Sequence, residues 1–221
     1  MLFGIATECE IPEVSVECVG MMTTLRKLKQ PRTAERMCQD AWNDLLVHLN
    51  KKKADDEPLS IRTINEALGP LDTIWAFRAV DGYRREMRHF AVWLAKHAVR
   101  RSQMSDPWDF RVIEAAEQFL RGDIDKEGLV EAGEETWKYP FSGACSVAEL
   151  HACDAAFEAA LYAERVAEYY ASDSAIGSKA DETWWKRRDS AKEREWVLIN
   201  SELHRLFDHI EQGAPYTRGL D

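Results

Sequence analysis

From Thr33 onward, apolar side chains recur at intervals of three and four. Met37, Cys38, Ala41, Leu45 and Leu49 form one stripe, widened by Trp42 and Leu46, and this spacing predicts an amphipathic helix. The polar stretch Lys51 to Pro58 ends it. Ser60 is placed to cap a short helix reaching Leu68, Gly69-Pro70 breaks it, and Leu71 to Val80 resumes. After the Asp81-Gly82 turn comes the strongest pattern, Tyr83 to Arg101. Tyr83, Met87, Phe90, Ala91, Leu94 and Ala98 make its main stripe, and Val92, Trp93, Ala95 and Val99 extend it. A helix apolar on most sides belongs at the centre of its domain. Ser105-Asp106-Pro107 predicts the next helix start, followed by a Trp108, Val112, Ala115, Phe119 stripe and a stop at Gly122. A short acidic helix, Asp123 to Lys138, closes at Tyr139-Pro140. Ser146 and Glu149 have capping-box spacing before a helix running to about Ser172 on Leu150, Cys153, Phe157 and Leu161. The last helix is predicted from Asp181 to Glu211, with Trp196, Ile199, Leu203, Leu206 and Ile210 facing inward, and Gly213-Ala214-Pro215 stops it.

The pattern therefore predicts an all-α bundle of seven or eight helices. Only the beginning differs. Val14, Val16 and Val19 alternate with polar neighbours near Pro12, which suggests an extended arm or short hairpin. The expected organisation is an N-terminal arm over 1–32, a bundle core over 33–140, and two long C-terminal helices within 141–221 packed on it, in one continuous domain. No fixed-period repeat supports a solenoid.

Composition agrees with a globular chain: 45% hydrophobic and 31% charged. No apolar run approaches the roughly 18–20 residues of a membrane span, and Glu8 and Glu10 interrupt the N-terminus where a secretory signal would be apolar. Five cysteines, an odd number with no C-x-x-C pair, suggest a reducing compartment and mostly buried thiols; Cys9 and Cys18 can face each other across an N-terminal hairpin or stay reduced. The expected location is the cytoplasm.

Charge changes the picture more. The net charge is −10, but residues 1–107 carry 16 basic and 15 acidic side chains, and residues 108–221 carry 13 and 24. The acidic half disfavours direct nucleic-acid binding, whose phosphate contribution would be repulsive, and favours a basic protein partner. The densest patch is Asp123, Asp125, Glu127, Glu131, Glu134 and Glu135, with Trp137 beside it as an anchor for a partner. Helical spacing places Glu127, Glu131, Glu134 and Glu135 on adjoining positions. A solvated face and an interface both fit this pattern.

Candidate chemistry is sparse. Glu86-x-x-His89 has the spacing of a di-iron ligand pair, but such sites need two of these motifs and two more glutamates. The alternative is a core-edge histidine bonded to a carboxylate. Cys145, His151, Cys153 and Asp154 cluster in sequence, yet 151 and 153 do not share a helical face. Trp184-Trp185-Lys186-Arg187-Arg188 can stack bases or meet a membrane. The acids that follow, Asp189, Glu193 and Glu195, instead match Arg188, Lys192 and Arg194 as surface ion pairs. Of eight tryptophans, Trp42, Trp75, Trp93, Trp108 and Trp196 fall on apolar stripes and are expected in the core. Gly-rich phosphate loops and Ser-His-Asp spacings are absent. No catalytic residue, metal or cofactor is expected.

Two segments carry a resemblance. Asp72 to Gly82 leads into the Arg- and Trp-bearing helix, and Ile113 to Gly122 opens into the acidic segment. Across residues 60–135 the chain resembles helical proteins of phages and mobile elements and the immunity proteins of bacterial toxin systems. The resemblance implies a cytoplasmic, non-enzymatic protein that binds and neutralises another macromolecule, and it carries over no catalytic residue. Its sharpest version is an inhibitor of a host defence nuclease complex such as a CRISPR effector, with the acidic helical surface occupying a basic nucleic-acid channel. An immunity protein that neutralises a toxin, a small helical enzyme and a scaffold remain open beside it.

Overall fold

The computed structural model describes residues 20–30, 38–102, 107–136, 163, 167–168 and 182–218. These residues form an all-α fold with one very small sheet. In chain order they give β1 (Met22–Thr23), α1 (Leu25–Lys29), α2 (Gln39–His48), β2 (Leu59–Ser60), α3 (Ile61–Leu68), α4 (Pro70–Ala76), a 3-10 turn (Phe77–Ala79), α5 (Arg84–Ser102), α6 (Pro107–Arg121), α7 (Lys126–Thr136) and α8 (Glu182–Glu211). Among the described residues no helix is long and apolar enough to cross a membrane.

The sheet knits the start of the described chain to its centre. β1 and β2 run antiparallel, Met22 opposite Ser60 and Thr23 opposite Leu59. The buried Thr23 Oγ1 donates to the Ala79 carbonyl at 2.7 Å. Met21, Leu25 and Leu28 are all buried, so residues 21–28 pack into the core. Residues 2–19, where the sequence suggests an arm or hairpin, lie outside the described residues, and β1 takes its partner from β2 instead.

Each helix boundary has a local cause. Thr24 Oγ1 accepts from Lys27 N and Ser60 Oγ from Arg62 N, both at 3.1 Å, satisfying first-turn donors of α1 and α3. Gly69 ends α3 and precedes Pro70 with φ of 83°, a conformation few side chains tolerate. Cys38 was expected on the buried stripe of α2. It is exposed and acts as that helix's cap, its Sγ accepting from Ala41 N at 3.3 Å. The helix begins only at Gln39, so the stripe's first position lies before the helical register starts.

α5 is central, as its nearly all-round apolar pattern implies. Met87, Phe90, Ala91, Val92, Leu94, Ala95, Ala98 and Val99 are buried, and Phe90 packs edge-on to Phe77 with centroids 6.2 Å apart. Each large apolar group removed from water stabilises by about 1.5–3 kcal/mol before the entropy of ordering is counted. α6 packs on α5 and α7 and buries Ile113, Ala115, Ala116 and Leu120, and the Lys96–Glu117 pair at 2.6 Å joins it to α5. The expected Ala115 and Phe119 positions are inside and half-inside. The deepest contacts sit one residue beyond the expected stripe. α7 turns back on α6, and α8 closes the bundle with Ile199, Leu203, Leu206, Phe207 and Ile210.

Candidate functional site

Two outward faces depart from what folding alone requires, and a densely bonded joint of three helices supplies the contrast. The first face is α7. Gly122 reverses the chain after α6. Asp123 then pairs with Arg121 at 2.9 Å, and Asp125 Oδ1 accepts from Gly128 N at 2.9 Å, capping the helix. Two members of the acidic patch are therefore used locally. Leu129 is buried, with Ile124 and Ala132 packed alongside, so the helix has a defined inner side. Glu127 and Glu131 point outward, exposed, and neither has a hydrogen bond or ion pair among the described residues. Glu134 and Glu135 occupy the last turn of α7. Trp137 lies outside the described residues, as do Cys145, His151, Cys153 and Asp154.

The second face is the middle of α8, where polar and apolar positions are exchanged. Glu195 is fully buried, while Trp196, Val197 and Leu198 are 36%, 64% and 44% exposed. A buried acid and three consecutive exposed apolar side chains are each unusual for a helix in a globular fold. His97 Nε2 donates to Glu195 Oε1. The imidazole stacks on Trp93 at 5.4 Å, and Trp93 on Phe90 at 6.0 Å, so an aromatic column from the core holds the donor in place. Glu195 was expected as a surface ion-pairing residue, and Trp196 in the core. Both expectations are corrected: the core position in this turn goes to the carboxylate that His97 of α5 bonds through one oxygen, which turns Trp196 outward with Lys192 Nζ 4.9 Å from its ring centroid. Beside it Ser190, Glu193, Arg194, Val197 and Leu198 line a shallow depression of about 610 Å³.

A third region is the joint of α3, α4 and α8. Arg62 donates to Asp208 Oδ1 at 2.8 Å and to both oxygens of Glu211 at 3.0 Å, and lies over the Phe207 ring. These carboxylates hold its guanidinium above the usual arginine range, against the effect of partial burial. Arg62 also approaches His204 Nδ1 at 3.1 Å. Arginine can only donate, so Nδ1 is the acceptor, and the 3.5 Å approach of Nε2 to Asn65 Nδ2, itself a donor, cannot also be a hydrogen bond. Asn65 bonds Asn200 at 2.6 Å and receives Thr73 Oγ1 at 3.0 Å. The joint's guanidinium, carboxylates and amides thus bond one another around the buried Asn65 side chain.

Glu202 and His89 are two further buried polar groups among the described residues. Glu202 receives the Tyr216 hydroxyl at 2.8 Å and Arg205 at 3.2 Å, latching the segment after α8 onto it. Burial, with the neighbouring Glu202 carboxylate, pushes the Tyr216 phenol far above its ordinary range. His89 was expected to bond a carboxylate. It is instead 1% exposed with Nδ1 unbonded. Burial, with a smaller effect of Arg85, lowers its pKa from the ordinary 6.5. Among the described residues no three histidine, cysteine or acidic side chains converge as a metal site.

The joint and the exchanged turn escaped the sequence reading. A signal for the joint existed: Asn200, His204, Asp208 and Glu211 form a polar stripe at helical spacing beside the apolar one. No signal marked Glu195, because its partner is remote in sequence. No known protein family matches the chain, and neither a curated protein nor a solved structure is detectably similar to it.

Proposed function

We propose that this chain is a non-enzymatic binding protein that inhibits a macromolecular machine by placing an acidic helix against a basic surface. The observation that carries the reading is the pair Glu127 and Glu131. They stand one turn apart on the exposed side of α7, with no bonding partner among the described residues. Like charges at this spacing cost an isolated helix a few tenths of a kcal/mol, and a cationic partner would remove that cost. The whole-chain charge of −10 points the same way. Charge complementarity of this kind acts mainly on association rate and weakens with salt.

A nucleic-acid-handling complex, of the kind phage-encoded inhibitors of host defence nucleases act on, fits a partner whose working channel is basic. The test is a photo-crosslinking side chain at position 130, between the two glutamates, used in bacterial host lysate. Capture of a nucleic-acid-binding complex is expected, with capture reduced by added duplex DNA and by the Glu127→Gln/Glu131→Gln pair. Capture indifferent to DNA, salt and both substitutions would overturn the reading.

A further inference from the structure

The outward side of α8 carries its cations and its acids on separate edges. At about 100° per residue, Arg187, Arg194 and Arg205 align within about 20° of one another, and Leu198 and Ser201 lie within about 30° of that row. Asp189 and Glu193 fall about 100° or more away, on the other edge. Arg187 and Arg194 are exposed and have no hydrogen bond or ion pair among the described residues. Arg205 gives one nitrogen to the buried Glu202 and stays 56% exposed. Acidic side chains outnumber basic ones 24 to 13 over residues 108–221, yet none enters the row between Arg187 and Arg205. Leu198 within it and Val197 beside it are exposed apolar groups that the core does not use.

We infer that this row docks an acidic amphipathic helix of a partner protein, laid along α8. Each guanidinium can take a carboxylate through two parallel hydrogen bonds. Leu198 and Val197 offer the partner an apolar contact between the charged ends, the arrangement of an interface with an apolar centre and a polar rim. The depression beside them receives that apolar side chain. A phosphodiester backbone would meet the arginines equally well but would set charge against Leu198 and Val197, so the apolar pair favours a peptide. Spacing fixes the recognised pattern. Arg187 and Arg194 stand about 10.5 Å apart along the axis, and Arg194 and Arg205 about 16.5 Å. A partner helix running parallel to α8 therefore carries acids at i, i+7 and i+18 and apolar side chains at i+10 and i+11, and an antiparallel one carries the same pattern reversed. The row is opposite in sign to the outer side of α7, so the two faces take different chemistries.

Two labelled synthetic helical peptides test this, one with glutamate at i, i+7 and i+18 and leucine at i+10 and i+11, the other with that pattern reversed. Each is titrated with the full chain and followed by fluorescence anisotropy. The expected result is saturable binding of one of them, weakened at least tenfold by Arg187→Gln with Arg194→Gln. The same binding should be unchanged by Glu127→Gln with Glu131→Gln, which separates this face from α7. Circular dichroism should show the wild-type spectrum for both variants. A peptide of the same composition with its glutamates scrambled should bind at least tenfold more weakly, because a chain of net charge −10 repels an acidic peptide that does not register with the row. No binding of either matched peptide, equal binding of the scrambled one, or undiminished binding by the arginine variant would overturn the proposal. Tighter binding of duplex DNA, lost with the same two arginines, would overturn it as well and assign the row to phosphates.

Discussion

Carboxylates on two helices of this protein live under opposite conditions. At the joint of α3 and α8, Asp208 and Glu211 converge on one guanidinium, which also bonds His204 and lies over Phe207. On α7, Glu127 and Glu131 face solvent with no bonding partner among the described residues. The first arrangement fastens one helix to another across 146 and 149 residues of chain. The second makes no bond to the rest of the described fold and carries a small repulsive cost. Charges that cross-link elements are explained by stability, whereas unpaired charges on a well-packed helix invite an explanation from outside the molecule.

The comparison can be sharpened from its strongest term downward. Under the joint lies Leu206, fully buried. Truncating it to alanine should cost about 2–5 kcal/mol, as core leucines do, read by urea denaturation. Asn65 is next. It is buried and bonded to both Asn200 and Thr73, and Asn65→Ala should cost about 1–3 kcal/mol because Asn200 loses its partner. A guanidinium with partly exposed partners is worth less, and Arg62→Ala should cost about 1 kcal/mol, including the contact the guanidinium makes with the Phe207 ring.

Acid tests the core in a different way. The folded protein holds the pKa of His89 below its ordinary 6.5, so the unfolded chain binds the proton more readily. The neutral ring's full stability is present above pH 6.5 and is lost as the pH falls through the lowered folded value. His89→Phe should flatten this acid limb in melting experiments from pH 7 to 5. An unchanged limb would show that other groups dominate it.

How much of this was legible along the chain depended on how local the cause was. α5 declares itself because apolar residues cover most of its circumference, and Gly69-Pro70, Pro107, Gly122 and Gly213 mark boundaries through backbone geometry alone. The helix carrying the acidic patch was legible too. Which of its carboxylates are spent was not, since that depends on the positions of Arg121 and the Gly128 amide. Trp196 was misplaced for a related reason. Stripes through 195 or 196 both continue to Ile199 and Leu206, and the choice between them is made by His97, a residue of another helix. Cys38 fits an apolar stripe but sits at the helix start, where a side-chain acceptor does more than an apolar contact.

The smallest effect on stability belongs to α7. Glu127→Gln with Glu131→Gln should raise stability by a few tenths of a kcal/mol, through loss of like-charge repulsion. Partner capture of that variant, set beside Arg62→Ala over a salt series, tests the central claim most directly. The glutamine variant should melt no earlier than wild type and capture far less partner at low salt, with the difference shrinking as salt rises. Arg62→Ala should melt earlier and capture normally while folded. Equal capture by the glutamine variant and the wild type at every salt concentration would contradict the account, because the acidic face of α7 would then have no role in binding.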